Sequence, residues 1–212
     1  MSRGLFVVLE GPEGAGKTTL AAGLAERMRA QQLEVVTVRE PGGTPVAEAL
    51  RAELLNSDRV WAAEAELLYM VTARADLVTR VIRPALEAGK LVLSDRYDLS
   101  TMAYQGAGRG LDRDHVRWVN EAATGGLRPD LTLVLDLDPE MGRARQRAAG
   151  KGADRMEREA VAFHDRVAEE YLAATGAGVH HLQADASPEQ VLEAAWCCLV
   201  AARPETFHPI PG

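Results

Sequence analysis

The residues with the clearest chemistry lie near the N-terminus, in Gly11-Pro12-Glu13-Gly14-Ala15-Gly16-Lys17-Thr18-Thr19, with the spacing G-x-x-x-x-G-K-T. That pattern suits a bound phosphate. Glycines at 11, 14 and 16 permit backbone angles and a close approach that side chains would block. Successive N–H groups and a helix N-terminus then point partial positive charge at the anion. Lys17 adds a full charge at the transferring end, and the Thr18 hydroxyl can ligate magnesium. A second candidate is Asp95-Arg96. Its carboxylate can hold a metal's shell, and its guanidinium fork can bridge two phosphates as charge moves between them. The alternatives are a surface turn for Asp95 and a structural salt bridge for Arg96.

The elements around these residues are what give them weight. Leu5 to Leu9 is a near-continuous apolar run, which reads as a strand buried on both faces, and Leu20, Leu24 and Met28 open a helix directly after the glycine-rich loop. Strand, loop and helix in that order are the context of a phosphate-binding P-loop. Val35 to Val38 reads as a second strand, broken by Arg39-Glu40-Pro41-Gly42-Gly43. Thr44 can cap a short helix to about Asn56, and Ala62 to Ala88 keeps a helical period until Gly89 ends it. Leu91 to Asp95 and Leu131 to Leu137 read as the third and fourth strands, and Pro139 opens a helix carrying Arg143, Arg145 and Arg147. A charged helix from about Asp154 to Thr175, a strand from Val179 to Leu182 and a last helix opened by Ser187-Pro188-Glu189 complete the chain.

Alternation of this kind predicts an α/β fold, with a five-stranded, mostly parallel sheet flanked by helices in three layers. Ligands then collect at the carboxyl ends of the strands. The unusual segments 11–18, 39–43 and 95–109, and the one after Leu137, are expected there as loops.

The 212 residues suit a single domain spanning 1–212, and with 47% hydrophobic and 26% charged residues the composition is that of a globular chain. The net charge of −7, from 31 acidic and 24 basic side chains, disfavours general binding to nucleic acid or to an anionic membrane. Neither a leader before the first strand nor a membrane-spanning apolar run is expected. Cys197 and Cys198 are adjacent, which excludes a disulfide framework and fits a reduced, cytoplasmic setting; both are expected to pack within the last helix.

Four stretches together resemble thymidylate kinase of the bacterial type, within the P-loop nucleoside monophosphate kinases. They are Glu10 to Thr19, Arg39 to Gly43, Asp95-Arg96-Tyr97 with Ser100-Thr101 and Ala103 to Gly106, and Arg128 to Thr132. The resemblance implies transfer of the γ-phosphoryl group of ATP to dTMP, with magnesium, in a homodimer. It implies ATP contacts from Gly11, Pro12, Glu13, Gly14, Ala15, Gly16, Lys17, Thr18 and Thr19, a metal held at Thr18 and Asp95, and catalysis by Lys17, Asp95 and Arg96. For dTMP it implies Glu13 near the sugar 3′-hydroxyl, then Arg39, Glu40, Pro41 and Arg96. Arg74 would stand at the thymine ring, and Ser100, Thr101, Tyr104 and Gln105 would line base and deoxyribose. Where the family often stacks an aromatic ring on thymine this chain has Met70, with Tyr69 as the alternative by a one-residue shift. A mobile lid near 143–155 is implied, with Arg147, Lys151 and Arg155 as contacts to ATP in no fixed order; a solvated charged helix is the other reading of these residues.

The acceptor would be a phosphate monoester, largely dianionic near neutral pH. No catalytic base is therefore expected, only positioning and electrostatics. A kinase for another nucleotide would keep Lys17, Thr18 and Asp95 but has little reason to share Arg39 to Gly43 or Tyr104-Gln105. A nucleotide-dependent switch would carry an Asn-Lys-x-Asp or Asp-x-x-Gly motif, neither of which is read here.

Overall fold

The computed structural model describes residues 3–56, 59–148, 155–156 and 158–208. Its centre is one sheet of five strands: β1 (Phe6–Glu10), β2 (Val35–Arg39), β3 (Leu91–Asp95), β4 (Leu131–Asp136) and β5 (Val179–Gln183). The order is β2-β3-β1-β4-β5 and every pairing is parallel, so the expected mostly parallel sheet is parallel throughout. Register brings Leu9, Arg39 and Asp95 level at the carboxyl ends of three neighbouring strands.

All five residues of β1 are buried, as a strand covered on both faces requires. On one side Val7, Leu9, Leu93 and Leu133 pack against Leu24 and Met28 of α1 (Lys17–Ala30) and Trp196 and Leu199 of α9 (Pro188–Ala202). On the other, Phe6, Val8 and Val92 meet Leu77, Val78 and Ile82. Strand alternation sends successive side chains to the two layers.

Several expected elements form as read. Thr44 Oγ1 accepts the Ala47 N–H (3.1 Å) at the start of α2 (Pro45–Asn56), and Ser187 and Gln190 form a reciprocal capping box on α9. Others differ. The segment expected as one helix over 62–88 is α3 (Ala63–Leu77), a π-helical stretch (Val78–Ile82) and α4 (Arg83–Glu87). Pro84 is the reason: it lacks the N–H for an i−4 bond, and its ring crowds the carbonyl four residues back, at Arg80 inside the wide turn. The segment 95–109, expected as a loop, is mostly helical: α5 (Asp98–Thr101) runs into a second π-helical stretch (Met102–Gly108).

An unforeseen helix, α6 (Arg113–Thr124), follows, capped by the Asp112 carboxylate on His115 N–H (2.8 Å). The helix expected from 154 begins later, as α8 (Val161–Leu172). α7 (Pro139–Ala148) starts at Pro139 as read. Cys198 is partly buried against the core, but Cys197, expected to pack, is exposed on α9. Among the described residues no helix is long and apolar enough to cross a membrane.

Candidate active site

The carboxyl ends of β1, β2 and β3 open into a cleft of about 530 Å³. Its floor at one end is the glycine-rich loop, with Glu13, Gly14, Gly16, Lys17, Thr18 and Thr19 all lining it, while Gly11, Pro12 and Ala15 lie beneath. A Cβ on Gly11 would sit 2.6 Å from the Leu135 carbonyl oxygen, so β4 admits only glycine there. The Lys17 ammonium is buried and donates to the carbonyls of Gly11 (2.9 Å) and Pro12 (2.7 Å). Burial, then the neighbouring Arg96 charge, pushes it down to about 7.

Thr18 Oγ1 donates to Asp95 Oδ2 (2.7 Å), which brings two oxygens from α1 and β3 together at the cleft. Arg96 follows with φ +77°, an uncommon angle for a side-chain-bearing residue. Strand order ends at Asp95, and this left-handed turn carries the guanidinium over the cleft. There it donates to Tyr171 OH (3.0 Å), Ser100 Oγ (3.1 Å) and Tyr104 OH (3.2 Å). Its charge also lies 5.0 Å from the Tyr104 ring centroid.

Behind Arg96, Glu10 is fully buried and accepts from Tyr97 N–H, Ser100 N–H, Ser100 Oγ and Tyr171 OH. Burial raises its carboxyl pKa, and the hydrogen bond from Ser100 opposes the rise. Glu13 accepts from Tyr104 OH (3.2 Å), which links the loop to the π-helical stretch.

At the other end, Arg39, Glu40, Pro41 and Met70 line the cleft. Of the two alternatives on α3, Met70 faces it, while Tyr69 packs edge-on against Trp61 (4.4 Å). Ser100, Tyr104 and Gln105 line it as well. Arg74, expected at the thymine ring, lies behind the lining instead, 1% exposed. Its Nε donates to Glu40 Oε2 (2.7 Å), Nη1 to Thr101 Oγ1 (2.8 Å) and Asn120 Oδ1, and Nη2 to the Tyr97 carbonyl (2.7 Å). With every nitrogen engaged, the side chain serves as a strut between the Glu40 loop, α5 and α6. Thr101, fully buried as its partner, is likewise behind the surface. Burial pushes the Glu40 carboxyl up, to about 7, against the pull of Arg74, and the same contact raises Arg74. Two guanidinium nitrogens meet one carboxyl oxygen, Glu40 Oε2, at 2.7 Å each, while Oε1 is buried without a hydrogen-bond partner among the described residues.

Arg155, expected as a contact to ATP, donates to Leu54 O (2.8 Å) and Glu66 Oε2 (2.7 Å), two residues that line the cleft with it. Arg147 is exposed on α7, and Lys151, with much of the expected lid, lies outside the described residues. Sequence reading missed Glu66, a buried carboxylate that accepts from Gln105, Arg109 and Arg155. Burial would raise it, but those three donors outweigh burial and hold it below the ordinary carboxylate range. A glutamate on the apolar face of a long helix was the available signal. Arg51, Leu54 and Leu55 of α2 and Arg145 of α7 also line the cleft. Arg145 lies on the side of the loop and Arg51 on that of Pro41, whose carbonyl it meets at 2.8 Å.

A parallel sheet, a glycine-rich loop leading into α1, a hydroxyl–carboxylate pair at Thr18 and Asp95 and an arginine over the same cleft define a P-loop phosphotransferase of nucleotides. The sequence profile of thymidylate kinase matches residues 9–195. Similar proteins include the thymidylate kinase of Pseudomonas fluorescens (strain Pf-5), 52% identical over 175 residues that cover 82% of this chain and 83% of the relative. That of Halothermothrix orenii is 50% identical over 171 residues, covering 80% and 83%. That of Thermomicrobium roseum is 47% identical over 194 residues, covering 90% and 92%. The chain belongs to the thymidylate kinase family, whose members phosphorylate dTMP to dTDP with ATP.

Proposed function

We propose that this cleft transfers the γ-phosphoryl group of ATP to dTMP, with ATP on the glycine-rich loop and the acceptor between Arg39 and Gln105. The observation that carries the reading is the meeting of Lys17, Asp95, Arg96, Arg39 and Tyr104 in one cleft. The loop's N–H groups and the α1 N-terminus hold the donor phosphates. Lys17 exchanges its two loop carbonyls for phosphate oxygens, and Arg96 neutralises charge shared between donor and acceptor. Glu13 takes the sugar hydroxyl, and the base packs on Met70 and Leu54. The acceptor phosphate is already anionic, so no side chain needs to remove a proton from it.

Magnesium fits the donor set. Thr18 Oγ1 and Asp95 Oδ2 converge, and among the described residues no cluster of three or more His, Cys, Asp or Glu side chains competes for a cation. Two protein oxygens suit an ion that takes most of its ligands from phosphate and water. Thr18 and Asp95 would hold it, and the chemistry it would supply there is neutralisation of phosphate charge. A cytoplasmic setting agrees with two free, adjacent cysteines.

The assembly is a homodimer. It is supported by Leu68 of α3 and Trp118 of α6, 53% and 67% exposed on neighbouring helices. A screen of nucleoside monophosphates with ATP and magnesium tests the activity. dTMP should be phosphorylated fastest; faster turnover of dGMP or dCMP overturns the acceptor assignment.

A further inference from the structure

α7 runs past the glycine-rich loop with its backbone directly against it. A Cβ on Gly142 would lie 2.4 Å from the Glu13 carbonyl oxygen, and a Cβ on Gly14 would lie 2.4 Å from the Gly142 carbonyl oxygen. Both obstacles are backbone atoms, which cannot rotate aside as a side-chain tip can. Gly142 sits within a helix and is not among the residues with positive φ. Alanine is the better helix former at such a position, so the helix itself gives no reason for glycine; the loop does.

The approach is held from both sides. Asp138 Oδ1 accepts from the N–H groups of Glu140 (2.8 Å) and Met141 (3.2 Å), which fixes the start of α7 just beyond β4. One turn after Gly142, Arg145 Nη1 donates to Ala184 O (2.8 Å) and reaches Gly14 O (3.4 Å). The Glu13 carbonyl therefore points at α7. In a planar trans peptide the Gly14 N–H points the opposite way, away from α7, and Gly14 itself lines the cleft.

We propose that Gly142 is a positioning residue of the ATP site: its missing side chain lets α7 seat the Glu13–Gly14 peptide so that the Gly14 N–H is presented to phosphate. This rests on the reading of the loop as the ATP site. The test compares wild type, Gly142→Ala and Ala144→Ser, the last an exposed position on the same helix, by calorimetric titration with ADP and with dTMP and by steady-state kinetics. Displacing the peptide by most of an ångström should weaken ADP binding and raise KM for ATP about tenfold to a hundredfold. dTMP affinity should change little even where the forced shift lowers the thermal midpoint, and Ala144→Ser should match wild type. A merely structural role would instead lower both affinities together.

Gly142→Ala binding ADP as wild type does overturns the proposal, and so does an equal loss of dTMP affinity. Failure of the wild type itself to bind ADP overturns the ATP reading instead. Should Gly142→Ala not fold, Asp138→Ala loosens α7 without adding an atom near the loop. That variant should lose ADP affinity several-fold while keeping dTMP affinity, and unchanged ADP affinity would overturn the proposal.

Discussion

Lys17 and Arg96 are both cations beside the same loop, yet their settings assign them different tasks. Lys17 is buried on two loop carbonyls, and Lys17→Met should abolish phosphoryl transfer while circular dichroism and the thermal midpoint stay near wild type. A variant with near wild-type turnover would remove the loop from the chemistry. The Lys17 ammonium is also pushed down to about 7 in the free protein. Phosphate oxygens favour its charged form and raise it again, so the sign of the linkage follows. Below pH 7 Lys17 is already protonated and binding is proton-neutral; above it, binding takes up a proton and affinity falls as pH rises. Titration of a non-hydrolysable ATP analogue at pH 8, in buffers of different ionisation heat, should reveal that uptake, and heats independent of buffer would contradict it. Arg96 is held by three hydroxyls at an uncommon backbone angle, which costs about 1–3 kcal/mol at such sites. Arg96→Lys keeps the charge and loses the fork. Turnover should fall about a hundredfold or more, ~3 kcal/mol, with a smaller change in dTMP affinity. Unchanged turnover with weakened dTMP binding would reduce Arg96 to an anchor for the acceptor.

Between elements, the Arg74–Glu40 pair joins α3 to the loop after β2, and through Thr101 and Asn120 to α5 and α6. Both side chains are all but fully buried. Arg74→Met removes the cation that opposes burial at Glu40 and strips Thr101, Asn120 and the Tyr97 carbonyl of their donor, and should lower stability by about 3–5 kcal/mol in urea unfolding. Breaking the exposed Arg128–Glu121 pair by Arg128→Ala should cost about 1 kcal/mol or less. Equal effects would mean that burial does not set the strength of these pairs. Arg74 also marks where sequence reading stops. Its helix was legible from apolar period, and its neighbourhood to the cleft from spacing, but whether a guanidinium faces a ligand or a buried carboxylate depends on packing between distant segments. α6 was missed although Asp112 and the Gly125-Gly126 pair bracket it and its apolar and polar residues separate onto two faces: its many charged residues make it polar on average, and only Val116 and Val119 of its large apolar residues are buried. The break at Val78–Ile82 did have a local sign, Pro84 one turn further on.

For the molecule as a whole, the sheet was the most legible part, since five short apolar runs separated by helical stretches leave few parallel arrangements. The fully buried run 6–9 required cover on both faces, and it has it. Less legible was the outer surface that such layers leave uncovered. α3 and α6 pack together through Leu67, Val71, Val116 and Val119, and are bridged outside by Glu64 and His115 (2.5 Å). Leu68 and Trp118 stand on this pair with more than half of their surface in water. A single exposed apolar residue is ordinary, but an exposed tryptophan and an exposed leucine on adjoining helices match the composition of an interface core. In a two-fold dimer the same patch meets itself, so each substitution acts twice. Trp118→Glu would place two carboxylates in that contact. Static light scattering at micromolar concentration should give the dimer mass for wild type and the monomer mass for Trp118→Glu. Circular dichroism should be unchanged in the variant, because among the described residues Trp118 belongs to no buried cluster. A monomeric wild type would contradict the dimer, and a dimeric Trp118→Glu would move the contact to another face of the molecule.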